Sequence, residues 1–137
     1  MHTILFADDM DQIRDLFCAA LRAHGYAVLP ARDGDEAISL ARKHPGSIEL
    51  LITDVVMPGL NGPGLWRALK NCHPETSVLF ISGYCPEELK GAGSFLQKPF
   101  TSGMLLRRVE SLLSERNAAN QYPKNQHEIG DLHIFDS

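Results

Sequence analysis

Five short apolar runs, separated by segments of helical periodicity, set the fold open to this chain. Residues 3–7 (TILFA), 26–31 (YAVLPA), 48–54 (IELLITD), 77–82 (SVLFIS) and 94–97 (SFLQ) read as strands. Their apolar residues follow one another rather than alternate with polar ones, so both faces of each strand need cover, and that is the pattern of a parallel sheet between helical layers. Pro30 suits the second run to an edge, because proline cannot donate to a ladder. Between the runs, Met10, Ile13, Leu16, Phe17, Ala20 and Leu21 recur at three-and-four spacing and predict a helix over residues 10–24 that Gly25 stops. Ala37, Ile38 and Ala41 predict a second helix closed by Pro45 and Gly46. Pro63 suits the first turn of a third, with Leu65, Trp66, Leu69 and Cys72 on one side and Pro74 beyond its end. Leu105, Val109, Leu112 and Leu113 predict a last helix from about residue 102 to 116.

In an open parallel sheet the ligand site lies beyond the carboxyl ends of the strands. The first run ends in Asp8 and Asp9, the third in Asp54, the fourth in Ser82 and the fifth in Lys98, which precedes Pro99. Three carboxylates on one edge repel one another by roughly 1 kcal/mol per pair at 4 Å in water and about 4 at an effective dielectric of 20. They call for a cation or a raised pKa. An all-oxygen cluster without His or Cys suits Mg2+, which keeps some of its waters and needs only one or two carboxylates. A metal beside a free carboxylate, a hydroxyl and a lysine is equipment for handling a phosphoryl group, with one carboxylate attacking phosphorus in line.

Each residue also has a plainer reading. Asp8 and Asp9 could cap the following helix, and Asp54 could be a turn residue. Taken singly, Ser82 is a loop hydroxyl, Lys98 a surface charge and Phe95 a core side chain. The set argues against these readings for Asp8, Asp9, Asp54, Ser82 and Lys98, while for Phe95 core packing remains the safer one. Gly59 and Gly62 after Asp54 permit a tight loop that brings backbone near a metal. Trp66 belongs to the core. Cys85 lies close to the strand ends, but a reactive thiol needs electropositive surroundings that the sequence does not supply.

FADDM, ITDVVMPGLNG, FISGY and FLQKPF, in that order, resemble the receiver domain of two-component response regulators over residues 3 to about 116. SGY together with FLQKPF is most similar to receivers attached to hybrid histidine kinases. The resemblance implies a doubly wound, flavodoxin-like α/β fold with a five-stranded parallel sheet in the order 2-1-3-4-5. It implies Asp54 as phosphoacceptor, and Asp9, Asp54 and the Val56 backbone carbonyl as Mg2+ ligands, with Asp8 acting through water. Lys98 would contact the phosphoryl oxygens. Ser82 and Phe95 would be the switch residues, and the Lys98–Pro99 bond would be cis, as proline allows. Val56 and Tyr84 match positions that tune loss of the phosphoryl group. Neither is acidic or amide-bearing, so the expected phosphorylated state is long-lived. The implied partners are a histidine kinase or phosphotransfer domain and a downstream protein.

The stretch between Ser82 and Lys98 departs from that pattern. It has 15 residues, several fewer than such receivers usually have. Without the strand from 94, residues 84–93 remain for a crossover that generally needs a dozen or more. Pro86, Gly91 and Gly93 leave PEELK as a turn or so, so the fourth helix is expected to be shortened or missing and the surface that reports phosphorylation to be altered.

The 137 residues, 44% hydrophobic and 22% charged, suit one domain over residues 1–116. Residues 117–137, beginning NAANQYPKNQHEIGD, read as a polar C-terminal tail, in which LHIF could pair with an edge strand. The expectation is a stand-alone receiver or a piece of something longer, with no room for an output domain. A net charge of -4 with scattered Lys and Arg argues against nucleic acid. No apolar run approaches the ~20 residues of a membrane span, and a cytoplasmic location without membrane insertion is expected. Three separated cysteines and six histidines form neither a disulfide framework nor a zinc site. Besides a self-modifying receiver that is not an enzyme toward other molecules, two alternatives stand. One is a degenerate receiver used only for docking. The other is a small haloacid-dehalogenase-type phosphatase, whose nucleophile signature Asp9-Met10-Asp11 imitates, although it would leave Asp54 without a role.

Overall fold

A computed structural model of the chain describes residues 1–85, 87 and 94–119. Five strands, β1 (Thr3–Ala7), β2 (Ala27–Ala31), β3 (Leu50–Asp54), β4 (Ser77–Ser82) and β5 (Phe95–Gln97), form one parallel sheet in the order β2-β1-β3-β4-β5. The helices are α1 (Asp11–Ala23), α2 (Gly34–Lys43), α3 (Gly62–Leu69) and α4 (Ser102–Ala119). The expected doubly wound α/β fold is therefore present, with Pro30 on edge strand β2. Four α-helices are present among the described residues, in keeping with a shortened fourth crossover. Most of residues 84–93, on which that expectation falls, lie outside the described residues.

Successive side chains of a strand point to opposite faces, and the core divides accordingly. On one face Leu5, Ala7, Leu51, Phe80 and Phe95 pack with Ala37 and Ala41 of α2 and with Leu65, Trp66 and Leu69 of α3. On the other, Ile4, Phe6, Leu50, Ile52, Leu79 and Ile81 pack with Phe17, Cys18 and Leu21 of α1 and with Leu105, Val109 and Leu113 of α4. All five residues of β3 are buried, because this strand lies at the centre of the sheet and beneath both helical layers. Each large side chain buried this way contributes about 1.5–3 kcal/mol. That anchorage makes the carboxyl end of β3 a rigid platform.

Four positions differ from the periodicity. Met10 and Leu16 are more than half exposed, and Cys18 takes an inward place on α1 instead. Met10 stands before the first helical turn, and Leu16 falls on the solvent side of the stripe that Phe17, Cys18 and Leu21 define. Cys72 is exposed because α3 ends at Leu69, short of it. Phe17 and Phe100 meet at 4.8 Å between ring centroids and tie α1 to the segment after Pro99. The Lys98–Pro99 bond is cis.

Candidate functional site

Strand register brings the polar ends together. Ala7 pairs with Thr53 and Asp54 with Ile81, so Asp8, Asp54 and Ser82 each stand at the carboxyl edge of adjoining strands. Ser82 pairs with Gln97, and the Ser82 carbonyl accepts from the Lys98 N–H at 2.8 Å, which places Lys98 one step beyond the same edge. Lys98 Nζ reaches back to within 2.7 Å of Asp54 Oδ1 and 3.6 Å of Asp8 Oδ2. Carboxylate oxygens of Asp8, Asp9 and Asp54 lie within 4.8 Å of one another. Asp8 and Asp54 are buried, and Asp9 is exposed at the rim.

The loops on this edge are fixed by short-range bonds. Asp8 is held on three sides: its N–H donates to the Ala31 carbonyl at 3.1 Å, its Oδ1 accepts from the Met10 N–H at 2.9 Å, and its carbonyl accepts from Arg14 Nη1 at 2.8 Å. Met10, not Asp8 or Asp9, occupies the N-cap position of α1, and its side chain makes no capping bond. After Asp54 the chain turns through Gly59, whose φ of 75° is the left-handed conformation that glycine adopts without strain. The turn closes where the Gly62 N–H donates to the Val55 carbonyl at 2.9 Å. Asn61 then caps α3 through its side-chain oxygen, which accepts from the Gly64 N–H at 2.8 Å.

Burial is the main cause that pushes the Asp54 carboxyl from 3.8 up to about 7, and Asp8 adds to it, while the Lys98 ammonium pulls the other way. For Lys98, burial lowers the pKa, but hydrogen bonding to Asp54 and the charges of Asp54 and Asp8 outweigh it, and the net shift is upward. Three carboxyl groups face a single ammonium, so positive charge is short on an edge where Asp8 and Asp54 are buried. Asp8 Oδ2 is a buried acceptor with no hydrogen-bond partner among the described residues, and its ion pair with Lys98 is long at 3.6 Å, so it is open to a further cation. An all-oxygen donor set, an orphaned buried oxygen and this charge deficit together fit Mg2+.

The other expected site residues occupy distinct places. Ser82 is half-buried, and its Oγ accepts from the Tyr84 N–H at 3.2 Å. Phe95 is buried in the core face that includes Phe80 and Trp66. The side chains of Val56 and Tyr84 are 78% and 72% exposed, flanking the edge without covering it. Asp11, the second carboxylate of the phosphatase-like signature, lies on α1 and pairs with Arg14 at 2.6 Å, and among the described residues the three-carboxylate group does not include it. Arg14 is the residue that sequence reasoning missed. It falls between apolar positions of an amphipathic helix, and only its place six residues after Asp8 could have flagged it.

The family model described as response regulator receiver domain matches residues 4–110. The sensor kinase CckA of Brucella abortus is 32% identical over 121 residues, covering 84% of this chain and 13% of that protein. The transcriptional regulatory protein CpxR of Escherichia coli is 32% identical over 141 residues, covering 98% of this chain and 59% of that protein. Among solved structures, the receiver domain from the hybrid histidine kinase CckA superposes with a TM-score of 0.71 at 41% identity, covering 81% of this chain and 98% of that one. This chain thus spans 13% and 59% of the lengths of the two curated relatives.

Proposed function

Since this chain belongs to the response regulator receiver domain family, we propose that Asp54 takes a phosphoryl group from a phosphohistidine of a histidine kinase or phosphotransfer domain, and that the modified protein changes its affinity for a downstream partner. One observation carries the reading: Lys98 Nζ lies 2.7 Å from Asp54 Oδ1 at an edge where three carboxylates converge. The Asp54 oxygen attacks phosphorus in line, the P–N bond to the donor imidazole breaks, and the ring nitrogen keeps the electron pair. Asp9, Asp54 and the Val56 carbonyl would hold Mg2+ directly and Asp8 through water. When bound, the ion neutralises charge on the transferring oxygens. Lys98 is free to move from Asp54 toward the phosphoryl oxygens, because phosphorylation replaces the carboxylate charge it now pairs with by a larger one nearby. Ser82 is the hydroxyl that donates to one of those oxygens, and Phe95 is the aromatic whose packing responds.

The reaction modifies the protein itself and turns over no separate substrate. Val56 and Tyr84 offer neither a carboxylate nor an amide to orient water, so hydrolysis is slow; a phosphoryl half-life of seconds would contradict this. We assign the domain to residues 1–116 with a tail over 117–137, of which α4 takes in the first three, to Ala119, while 120–137 lie outside the described residues, and we place the domain in the cytoplasm. No helix among the described residues is long and apolar enough to cross a membrane.

Incubation with Mg2+ and acetyl phosphate, followed by intact-mass measurement, tests the proposal. A single adduct, stable to acid and labile to base, that is absent from Asp54→Asn supports it. Turnover without an adduct at Asp54 would point to a phosphatase, and no reaction to a docking module.

A further inference from the structure

The turn that carries Asp8 and Asp9 lacks the usual means of holding a helix start. Met10, at the N-cap of α1, contributes no side-chain capping bond, yet Asp9 must be presented at the rim within a few ångströms of Asp8 and Asp54. Asp8 Oδ1 accepts from the Met10 N–H within the turn, and the bond that ties the turn to the body of α1 comes from one helical turn further on. Arg14 Nη1 donates to the Asp8 main-chain carbonyl at 2.8 Å, and its Nη2 donates to Asp11 Oδ1 at 2.6 Å. Its backbone N–H also donates to the Met10 carbonyl at 2.9 Å. The guanidinium thus bridges the residue before Asp9 and the first residue of α1. Although α1 is a surface helix, the Arg14 side chain is only 15% exposed, against 79% for Asp11. An exposed Arg–Asp pair stabilises a fold little, so the ion pair alone does not account for an arginine tucked under this turn.

We infer that Arg14 is a positioning residue for the cation site: it clamps the β1–α1 turn so that Asp9 and the orphaned Oδ2 of Asp8 face the same point in space. The inference rests on the reading of that edge as a Mg2+ site and names a residue that acts through the Asp8 backbone rather than on the ion. The two acceptors engage separate nitrogens of a planar fork, which a lysine's single nitrogen cannot reproduce. Positioning and simple electrostatics give opposite signs. A positive group beside a cation site weakens cation binding through its charge, so its removal would tighten Mg2+ binding if the field were all that mattered. If Arg14 holds the turn, its removal loosens the ligands and weakens binding.

Calorimetric titration of the full chain with MgCl2 measures this without reliance on phosphorylation. Arg14→Ala is expected to weaken Mg2+ binding about tenfold, in the range seen when outer partners of metal ligands are lost. Arg14→Lys, which keeps the charge, is expected to weaken it in the same direction. Phosphoryl uptake from acetyl phosphate should return toward the parent level when Mg2+ is raised to saturation. Unchanged or tighter Mg2+ binding in both variants overturns the inference. Should Arg14→Ala fail to fold, Arg14→Lys decides by the same criterion. A parent chain that binds no Mg2+ overturns the metal reading, and this inference with it, a result distinct from a parent that binds and variants that bind equally well.

Discussion

Replacing Gly62 with alanine sets two physical effects against each other with opposite signs. Gly62 is the first residue of α3, and its φ is not in the left-handed region, so local helix propensity favours alanine by up to about 1 kcal/mol. The tertiary structure forbids it. A Cβ at this position would stand 2.2 Å from the Asp54 carbonyl oxygen, 3.1 Å from the Asp54 carbonyl carbon and 3.2 Å from Val55 Cα, all backbone atoms of the segment that ends β3. Carbon–oxygen contacts in folded proteins settle near 3.3–3.6 Å, so the two backbones must part by about 1 Å. Overpacking of this kind costs about 1–3 kcal/mol. Strain on the Gly62–Val55 hydrogen bond of 2.9 Å offsets much of the propensity gain. Gly62→Ala should therefore lose about 2 kcal/mol, read as a fall of about 1 M in the urea midpoint at a typical slope for a chain of this size. Gly103→Ala serves as the control, because Gly103 also lies in the first turn of a helix and a Cβ there meets nothing closer than Thr101 Oγ1 at 3.8 Å. It should hold or raise the midpoint. Because the displaced atoms belong to Asp54 and Val55, phosphoryl uptake at saturating Mg2+ should slow by about tenfold or more. A Gly62→Ala protein as stable as the Gly103→Ala control would refute the steric argument outright.

Further outcomes follow from the same geometry. The Asp54 carboxyl, at about 7 instead of 3.8, keeps a proton in the folded state that the unfolded chain releases, so its contribution is intact below pH 4 and is lost as pH rises toward and through 7. Lys98, shifted upward from 10.5, titrates above that window. Unfolding midpoints taken at intervals from pH 5 to 8 should therefore fall less steeply in Asp54→Asn than in the parent, and Mg2+, which favours the carboxylate, should reduce the parent's decline; equal slopes in parent and variant would count against the assignment. Burial pushes the Cys18 thiol up to about 11, and Cys72 is exposed. Iodoacetamide at pH 8 should label Cys72 well before Cys18, which reacts only after denaturation; comparable rates by peptide mass mapping would contradict the packing of α1. Asp33 accepts from the Glu36 N–H at 2.8 Å while Glu36 Oε1 accepts from the Arg32 N–H at 2.8 Å, so Asp33→Ala should cost about 1 kcal/mol in urea unfolding, and a change below a few tenths would show that the cap contributes little.

The sequence by itself determined the strands, the helices and the polar residue at each strand end, because burial on two faces is written locally: a β3 that lies under both helical layers must read as the unbroken run LLIT before its charge. The same locality explains the errors on α1 and α3. Periodicity can nominate Met10, Leu16 and Cys72 as apolar, but whether the stripe turns toward Phe17 and Cys18, and whether the helix stops at Leu69, depends on what packs across from it. Distances between elements were decided only by tertiary structure. Lys98 reaches Asp54 because β5 pairs with β4 in the register that sets Ser82 against Gln97, a relation between residues far apart in the chain that no local pattern encodes. The orphaned oxygen of Asp8, the contact that forbids a side chain at Gly62 and the clamp of Arg14 on the Asp8 carbonyl share that origin. Each depends on where one backbone passes another, to a fraction of an ångström, and close packing of the whole domain sets that.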